Sequence, residues 1–169
     1  MEYHYDFLVI GSGIAGLSFA LKAADRGSVA VVTKKDKLET STNYAQGGIA
    51  SVLGQDDSFQ LHIQDTLNAG GGLCHPDVVE MVVKTGPDRV RELATRGVDF
   101  TSTGSEITHF DLGREGGHSR NRIVHARDMT GRAVEKVLVA AAEEHPNIHI
   151  HENHLALELI MDHQSVKAG

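Results

Sequence analysis

Short apolar runs alternate with a helical pattern at the start of the chain. Residues 7–10, Phe-Leu-Val-Ile, form an unbroken apolar run before a glycine turn, which is typical of a strand buried on both faces of a parallel sheet. A helix rich in small residues follows and is predicted to end near Gly27, and a second apolar strand covers residues 28–33. This order of strand, helix and strand predicts an α/β fold.

The middle of the chain is predicted to be mostly helical. Ser58 is the predicted N-cap of a helix that ends at the glycines 70–72. Proline at the first turn and glycine at the end predict two further helices, over residues 76–86 and 87–97. Residues 98–100 then resemble a short strand.

The last part of the chain returns to the α/β pattern. A periodic apolar face predicts a helix over residues 131–144, and strands are predicted at residues 148–150 and 155–161. We therefore expect a sheet domain interrupted by a helical and loop insertion at residues 55–130. The chain ends at Gly169 directly after a turn-like segment, so we expect it to be an incomplete part of a larger domain.

Composition narrows the class of protein. The 169 residues are 40% hydrophobic and 23% charged, as in an ordinary globular protein, and the formal charge of −7 argues against nucleic acid as a general partner. Cys74 is the single cysteine, which excludes an intrachain disulfide and fits a reducing cytoplasm. No apolar run approaches the roughly 18 residues that span a bilayer, so we expect no membrane association.

The glycine turn after the first strand has the spacing of a dinucleotide-binding site. Gly11 allows a tight turn, Gly13 lets the backbone approach a pyrophosphate, and Gly16 lets the helix lie close to the strand. The pyrophosphate is expected at the helix N-terminus, where N–H groups and the helix dipole favour an anion. The second strand ends in Thr33 and Lys34 instead of the acid of an ordinary NAD site, and Lys34 either reaches the ribose or a phosphate or is solvated.

An arginine-rich stretch between the predicted elements is the second candidate for chemistry. Residues 114–132 contain five arginines against two acids, a local excess of three positive charges. The stretch is either a site for a small dianion or a solvated loop whose arginines pair with acids elsewhere. Glu115 repels a purely acidic substrate, and its presence makes better sense if the substrate also carries an ammonium group.

Other polar clusters carry weaker signals. His149, His151 and His154 resemble a metal tract, but no carboxylate or cysteine with metal-ligand spacing joins them, so surface histidines are the favoured interpretation and no metal is predicted. The pair Asp56 and Asp57 is interpreted as a solvated acidic loop.

Three motifs together resemble the N-terminal part of the L-aspartate oxidases, within the succinate dehydrogenase and fumarate reductase flavoprotein superfamily. They are Gly-Ser-Gly-Ile-Ala-Gly at 11–16, Ser-Thr-Asn-Tyr-Ala-Gln-Gly-Gly at 41–48, and Arg-Glu-Gly-Gly-His-Ser at 114–119 with the run at 122–132. The resemblance implies a Rossmann-like FAD-binding domain whose insertion leads toward a capping domain. It also explains Thr33 and Lys34, because this superfamily commonly has a Ser/Thr-Lys pair there.

Two positions distinguish members of the superfamily. The dehydrogenases and reductases attach FAD through a histidine at the position of Ser41, so the resemblance implies a non-covalent flavin here. The residue matching Glu115 is usually apolar in those relatives, whereas an acid at this position is typical of the aspartate oxidases. The resemblance therefore implies FAD-dependent oxidation of L-aspartate to iminoaspartate, the first step of de novo NAD synthesis, with oxygen or fumarate as acceptor.

The resemblance also implies the residues that line the site. The substrate would be faced by Glu115, which orients it, with His118 and Ser119. The cofactor-binding residues, from the pyrophosphate turn through the flavin-lining segment to the adenine contacts, would be Gly11, Ser12, Gly13, Ile14, Ala15, Gly16, Lys34, Ser41, Thr42, Asn43, Tyr44, Ala45, Gln46, Gly47, Gly48, Leu155 and Ala156.

Length separates this chain from the family. Family members are about three times longer, and their proton-transferring arginine lies beyond the residues matched here, so we expect the isolated chain to bind FAD weakly and not to turn over. Two other functions stay open: a soluble fumarate reductase or succinate oxidase, and a non-catalytic flavin-binding fragment. Docking of a quinolinate synthase partner is also left open.

Overall fold

The computed structural model describes residues 2–104, 109–127 and 129–160. The chain divides into two units. Unit 1 comprises the described parts of Met1–Ser41 and Leu138–Gly169, and unit 2 comprises the described parts of Thr42–Val137. The bounds of 55–130 given above for the insertion stay a prediction.

Unit 1 is built on a parallel three-stranded sheet. Strand β1 (Phe7–Ile10), helix α1 (Ile14–Ala23) and strand β2 (Val29–Val32) follow in sequence, and a later strand at Ile148–His151 completes the sheet. β2 lies in the centre, between β1 and this last strand. The predicted α/β fold with a parallel sheet is confirmed.

The core of unit 1 lies between α1 and the sheet. Small and branched residues dominate this core, which suits a helix packed closely on a parallel sheet. Its buried side chains include Leu17, Ala20, Val29, Val31 and Ile148.

Strand β1 is less buried than its sequence predicts. Val9 is buried, but Leu8 and Ile10 are 53% and 56% exposed. β1 is at the edge of the described sheet, so only one of its neighbours in the sheet is present among the described residues. The prediction of burial on both faces is wrong for β1. The first three residues of the central strand β2 are buried.

Unit 2 combines helices with a small antiparallel sheet. Strand β3 (Ile49–Ala50), helix α2 (Phe59–Ala69) and helix α3 (Pro76–Thr95) come first. Strands β4 (Leu112–Gly113) and β5 (Ile123–Val124) follow, and the sheet order is β3-β5-β4. α2 and α3 pack against each other.

The remaining elements are helix α4 (Thr130–Glu144) and strand β6 (Ile148–His151). The boundary between the two units falls within α4. None of the helices in the described part of the chain combines the length and apolar character that crossing a bilayer requires.

The two helices predicted at residues 76–86 and 87–97 form one helix, α3, with Pro87 inside it. Proline in a helix removes one hydrogen bond and costs about 3 kcal/mol. The helix continues because one apolar stripe crosses the proline, and Val83, Pro87, Val90 and Ala94 are all buried. Burial of this stripe outweighs the local penalty.

Two predicted strands are absent from the described residues. Residues 98–100 form a turn in which Phe100 N donates to Val98 O. Residues 155–160 have no strand pairing, and the side chains of Leu157 and Ile160 are mostly exposed; Met161 lies outside the described residues. Alternating apolar residues form a strand only where a partner strand is available, and the described residues offer none here.

Burial of Leu17 provides a test of the core of unit 1. We predict that Leu17→Ala lowers the free energy of unfolding by about 2–5 kcal/mol, because it leaves a cavity between α1 and the sheet. Urea denaturation followed by circular dichroism measures the change. The matched substitution Leu157→Ala, at a side chain that is 88% exposed, should change the free energy of unfolding by less than about 0.5 kcal/mol. Equal effects of the two substitutions would contradict the described core.

Candidate functional site

The glycine turn of unit 1 has the geometry that its spacing predicts. Gly11 has a φ of +103°, a conformation that favours glycine, and its N–H donates to Val32 O at 2.9 Å. A Cβ atom at Gly16 would collide with Gly11 O and lie 3.1 Å from Val9 Cγ1. The turn is therefore tight and α1 lies directly against β1, so any side chain at Gly16 would push the helix away.

The N-terminus of α1 begins at Gly13, which is its N-cap residue. No side chain among the described residues caps this end. The helix dipole and the first-turn N–H groups are the features that suit a pyrophosphate.

The Ser12 side chain faces the interior of unit 1. It is 1% exposed, and its Oγ lies 2.9 Å from Lys37 O and 3.2 Å from Thr33 Oγ1. Because the hydroxyl group is engaged inside the unit, only the backbone of Ser12 is available to an anion at the turn. Thr33 acts here as the buried partner that ties the end of β2 to the glycine turn.

The basic residues after β2 differ in their partners. Lys35 pairs with Glu39 at 3.6 Å, and Lys37 pairs with Glu143 at 3.1 Å. The hydrogen bond with Glu143 raises the pKa of Lys37. Lys34 is exposed and makes no ion pair with any residue that the structure describes. Its side chain is therefore available to a ligand or to solvent, and both interpretations stay open.

Ser41 belongs to unit 1, whereas residues 42–48 belong to unit 2. Residues 44–47 are exposed. A Cβ atom at Gly48 would collide with Ile123 and with Val124 O, so the backbone of this segment lies directly on β5.

The start of α4 also contacts this segment. Gly131 N donates to Ala45 O at 3.0 Å, and a Cβ at Gly131 would collide with Thr42 O. The segment thus presents exposed residues on a backbone held from two sides within unit 2.

Leu155 and Ala156 lie in unit 1, in the exposed coil after β6. Just before them, His154 N donates to Thr33 O at 3.0 Å and fixes the start of this coil near the end of β2. The structure therefore brings the coil near the Thr33–Lys34 pair, as an adenine-binding backbone requires. Their contact with adenine stays a prediction.

The predicted substrate residues lie in the loop between β4 and β5. Glu115 is exposed, its side chain makes no ion pair with a described residue, and its Oε1 lies beside Gly47. The loop turns at Gly117, which has a φ of +84°, and His118 N donates to Glu115 O at 3.3 Å. The structure therefore places the Glu115 carboxylate beside Gly47 and puts His118 in the same backbone turn as Glu115.

Ser119 is held by α2. Its N–H and its hydroxyl both donate to Asp65 Oδ2, each at 2.8 Å. Because the hydroxyl proton points to Asp65, Ser119 Oγ can offer a ligand only a lone pair.

A buried guanidinium group anchors this loop. Arg122 is fully buried and binds Asp57 in a bidentate manner, with Nε to Oδ2 at 2.9 Å and Nη2 to Oδ1 at 2.8 Å. Its Nη1 donates to Asp65 Oδ2 at 2.7 Å and lies 3.3 Å from His118 Nδ1. A buried charge with this many partners is stable, whereas removal of one partner would leave an uncompensated charge.

The pKa values of two ionisable groups in this cluster are lowered. Hydrogen bonds from the Ser119 backbone, then from its hydroxyl and from Arg122, lower the pKa of Asp65 to about 2. Burial, and next the charge of Arg122, lowers the pKa of His62, whose ring lies 5.7 Å from that of His118. Asp65 is therefore ionised and His62 neutral at neutral pH.

Several members of this cluster were missed by sequence reasoning. The prediction that Asp57 lies in a solvated loop is wrong, because its side chain is fully buried against Arg122. His62 and Asp65 lie within the helix predicted after Ser58, and the sequence pattern assigns them no role. Their spacing of three residues, which places both on one face of α2, was the available signal, but it does not identify a partner 57 residues away.

The arginines of the stretch at 114–132 differ in their surroundings. The two interpretations given for them were pairing with acids and a site for a small dianion. Arg122 binds the carboxylates of Asp57 and Asp65. Arg120 Nε lies 3.9 Å from Asp56 Oδ2 and donates to the backbone O of Asp56 at 3.0 Å. Arg127 and Arg132 line an open cavity of about 370 Å³ with Lys136. Pairing with acids is thus the right description for the first two, and a dianion site stays a prediction.

The C-terminal histidines contact aromatic rings. Tyr5 Oη lies 3.0 Å from His151 Nε2, and the Tyr5 ring packs against His149 at 5.5 Å. Within the described ranges, no group of three His, Cys, Asp or Glu side chains has metal-binding geometry.

Comparisons with known proteins agree on one family. A family model described as an FAD binding domain matches residues 6–169. L-Aspartate oxidase 2-b of Nicotiana tabacum, a chloroplastic protein, is 51% identical over 93% of this chain and 24% of its own length. L-Aspartate oxidase of Acinetobacter baylyi is 44% identical over 96% of this chain and 29% of its own length.

Solved structures agree on the fold. A variant of quinol fumarate reductase from E. coli superposes with a TM-score of 0.86 at 29% identity, over 95% of this chain and 28% of that one. Sdh1 of Mycobacterium smegmatis gives a TM-score of 0.79 at 32% identity, over 90% and 28%. The chain spans about a quarter to a third of the length of the curated relatives it matches.

The lowered pKa of Asp65 predicts a dependence of stability on pH. Because the folded-state pKa is below the ordinary 3.8, the stabilisation is fully present above that value and is lost as the pH falls toward about 2. We predict that Asp65→Asn lowers stability at pH 7 and removes part of the stability change between pH 4 and pH 2. Urea denaturation at several pH values measures this.

The control is Asp99→Asn, at an exposed carboxylate without an ion pair to any described residue. It should leave the pH dependence of stability unchanged. If Asp65→Asn kept the full acid-dependent loss, the carboxylate would not have the partners described.

Proposed function

The chain belongs to the family of FAD-binding domains, and we propose that it is the N-terminal part of an enzyme that oxidises L-aspartate to iminoaspartate. The observation that carries this proposal is the exposed carboxylate of Glu115 beside Gly47, in a loop anchored by a buried arginine. A carboxylate next to the glycine pair suits the ammonium group of an amino acid. Relatives that are 43–51% identical and named L-aspartate oxidase support the same substrate.

FAD is the cofactor of this family, and the geometry of the chain fits it. The tight turn at Gly11, the N-terminus of α1 and the close contact at Gly16 form a cradle that a pyrophosphate requires. We propose that residues 11–16 hold the pyrophosphate through the backbone and that Lys34, Leu155 and Ala156 contact the adenosine. When bound, FAD supplies the two-electron oxidation.

The flavin ring is assigned to residues 41–48 in this proposal. The backbone of Gly48 is pressed against β5, which leaves Tyr44 to Gly47 exposed. Ser41 stands where flavin-attaching relatives have a histidine, and a serine hydroxyl does not form that linkage. We therefore propose that the flavin is held without a covalent bond.

Each substrate residue has a distinct role in the proposal. Glu115 accepts hydrogen bonds from the substrate ammonium group and orients it. His118 faces a carboxylate of the substrate. Ser119 has its proton engaged by Asp65, so it accepts a hydrogen bond from the ammonium group rather than donating one. These residues bind and orient the substrate, and none is assigned proton transfer.

The acceptor, location and partner form a finer part of the proposal. Oxygen or fumarate accepts the electrons, and a quinolinate synthase consumes the unstable imine product. We propose a cytoplasmic location because a single half-buried cysteine is compatible with a reducing compartment. The plant relatives are chloroplastic by name.

A soluble fumarate reductase or succinate oxidase is the second candidate. The solved reductase and dehydrogenase neighbours favour it, at 28–32% identity. Glu115 argues against it, because an exposed carboxylate repels a dicarboxylate that lacks an ammonium group. Comparison of L-aspartate with succinate as the substrate therefore distinguishes the two candidate functions.

Substitution of Glu115 tests the proposal in the complete enzyme that contains this chain. We predict that Glu115→Phe lowers kcat/KM for L-aspartate by about tenfold or more, because a charge-assisted hydrogen bond to the ammonium group is lost. Binding of succinate should be retained or improved. Anaerobic bleaching of the flavin absorbance with each substrate measures both effects.

The control substitution is Glu158→Phe, at an exposed carboxylate in unit 1. This substitution should leave kcat/KM for L-aspartate and the binding of succinate unchanged. Unchanged oxidation of aspartate by Glu115→Phe would refute the role of Glu115. Reduction of the wild-type flavin by succinate alone would favour the second candidate.

The isolated 169-residue chain tests the third candidate, a non-catalytic flavin-binding fragment. Titration with FAD, followed by flavin fluorescence, should show weak binding and no reduction by aspartate. Reduction by aspartate would show that these residues suffice for the chemistry.

A further inference from the structure

Four of the five N–H groups of Arg122 face a partner. A guanidinium group has five N–H donors and no acceptor. One from Nε and one from Nη2 bind Asp57, and one from Nη1 binds Asp65. The second N–H of Nη1 faces His118 Nδ1 at 3.3 Å.

This contact determines the state of the His118 ring. Since Arg122 can only donate, His118 Nδ1 must accept, so it carries no proton. The neutral ring then has its proton on Nε2. That nitrogen has no hydrogen-bond partner among the described residues, and it is not one of their buried side-chain atoms without a partner, so its N–H is accessible.

We propose that Arg122 is a positioning residue that holds His118 as the neutral imidazole with its proton on Nε2, so that the ring donates a hydrogen bond to a carboxylate of the substrate. This inference rests on the proposed function and deepens it. Glu115 then supplies the acceptor for an ammonium group, and His118, three residues further along the same loop, supplies a donor for a carboxylate. The pair is complementary to an α-amino acid.

The surroundings of His118 support the neutral form. The Arg122 guanidinium lies next to Nδ1, and the His62 ring packs edge-on at 5.7 Å. Asp57 and Asp65 direct their oxygens to Arg122, and Ser119 also bonds to Asp65. The nearest charge is thus a cation, and a proton on Nδ1 would place two donors against each other.

The rigidity of the anchor supports the same conclusion. Asp65 holds both Ser119 and Arg122, so α2 positions two residues that follow His118 closely in the sequence. Bidentate binding by Asp57 prevents rotation of the guanidinium plane. The direction of the N–H toward His118 is therefore set by two carboxylates.

Nitrogen-15 NMR of the histidine rings tests the inference in the 169-residue chain without any cofactor. We expect His118 to show only the form with its proton on Nε2, whereas the exposed His75 averages over both neutral forms. His118→Gln identifies the signals of His118. If His118 averages as His75 does, or carries its proton on Nδ1, the inference is overturned.

The substitution Arg122→Lys provides a second readout. Lysine keeps the charge but lacks the planar guanidinium group. The His118 ring should therefore no longer hold a single tautomer and should average between its two neutral tautomers. If the variant does not fold, the wild-type spectrum still decides. A single Nε2-protonated form that persists in a folded Arg122→Lys chain would overturn the role of Arg122.

Kinetics of the complete enzyme separate this inference from the proposed function. His118→Gln keeps a terminal N–H donor, and His118→Met has a similar length without a donor and without a charge. We expect KM for aspartate to rise by about tenfold or more in His118→Met and by less than about threefold in His118→Gln, with similar kcat in both. Equal KM values, in an enzyme that oxidises aspartate, would overturn the donor role while the proposed function stands. A locked His118 in a protein that does not oxidise aspartate would overturn the proposed function alone.

Discussion

The buried cation of Arg122 is the interaction on which the arrangement of unit 2 depends. A guanidinium group inside a protein is costly to desolvate by several kcal/mol, and it is tolerated only where carboxylates and good geometry compensate. Asp57 and Asp65 supply that compensation from two different parts of the chain. The C-terminal end of the loop that carries the candidate substrate residues is therefore tied to α2 and to Asp57 by buried charge pairs. This explains how an exposed loop can hold a defined geometry.

The constraint in unit 1 is steric. Gly16 has no side chain, and this absence lets α1 touch the carbonyl group of Gly11. The hydroxyl of Ser12 then reaches Thr33 and the backbone of Lys37, which joins the turn to the end of β2. The same contacts leave the backbone of the turn as the surface for an anion. The two units thus prepare their candidate sites by different means, one by close packing and one by a buried ion pair.

The features of unit 1 were predictable because they are local. The glycines at 11, 13 and 16 act within one turn, so their spacing contains the information, and the parallel sheet with its helix was confirmed. The burial of β1 was predicted wrongly because burial depends on neighbouring strands. α3 was predicted as two helices because a local rule for proline was applied where a continuous apolar face decides the outcome.

The site in unit 2 was predictable only in part. The motif at 114–119 identified Glu115 and His118 by resemblance, but the partners that place them lie 57 and 65 residues away from Arg122 along the sequence. An acidic pair such as Asp56 and Asp57 has the composition of a solvated loop, and only the fold shows that one member is buried. Long-range ion pairs leave no periodic signal in a single sequence.

The pairing of the arginines changes the electrostatic argument about the substrate. The stretch at 114–132 has an excess of three positive charges, which taken alone favours a dianion. Arg122 is compensated by two carboxylates, and Arg120 faces Asp56. With these three acids counted, the local excess disappears, and the exposed carboxylate of Glu115 is not neutralised. In the proposed arrangement, the Glu115 carboxylate and the N–H of His118 in the same loop suit a ligand that carries both signs of charge, which is the charge pattern of an amino acid rather than of a simple dicarboxylate.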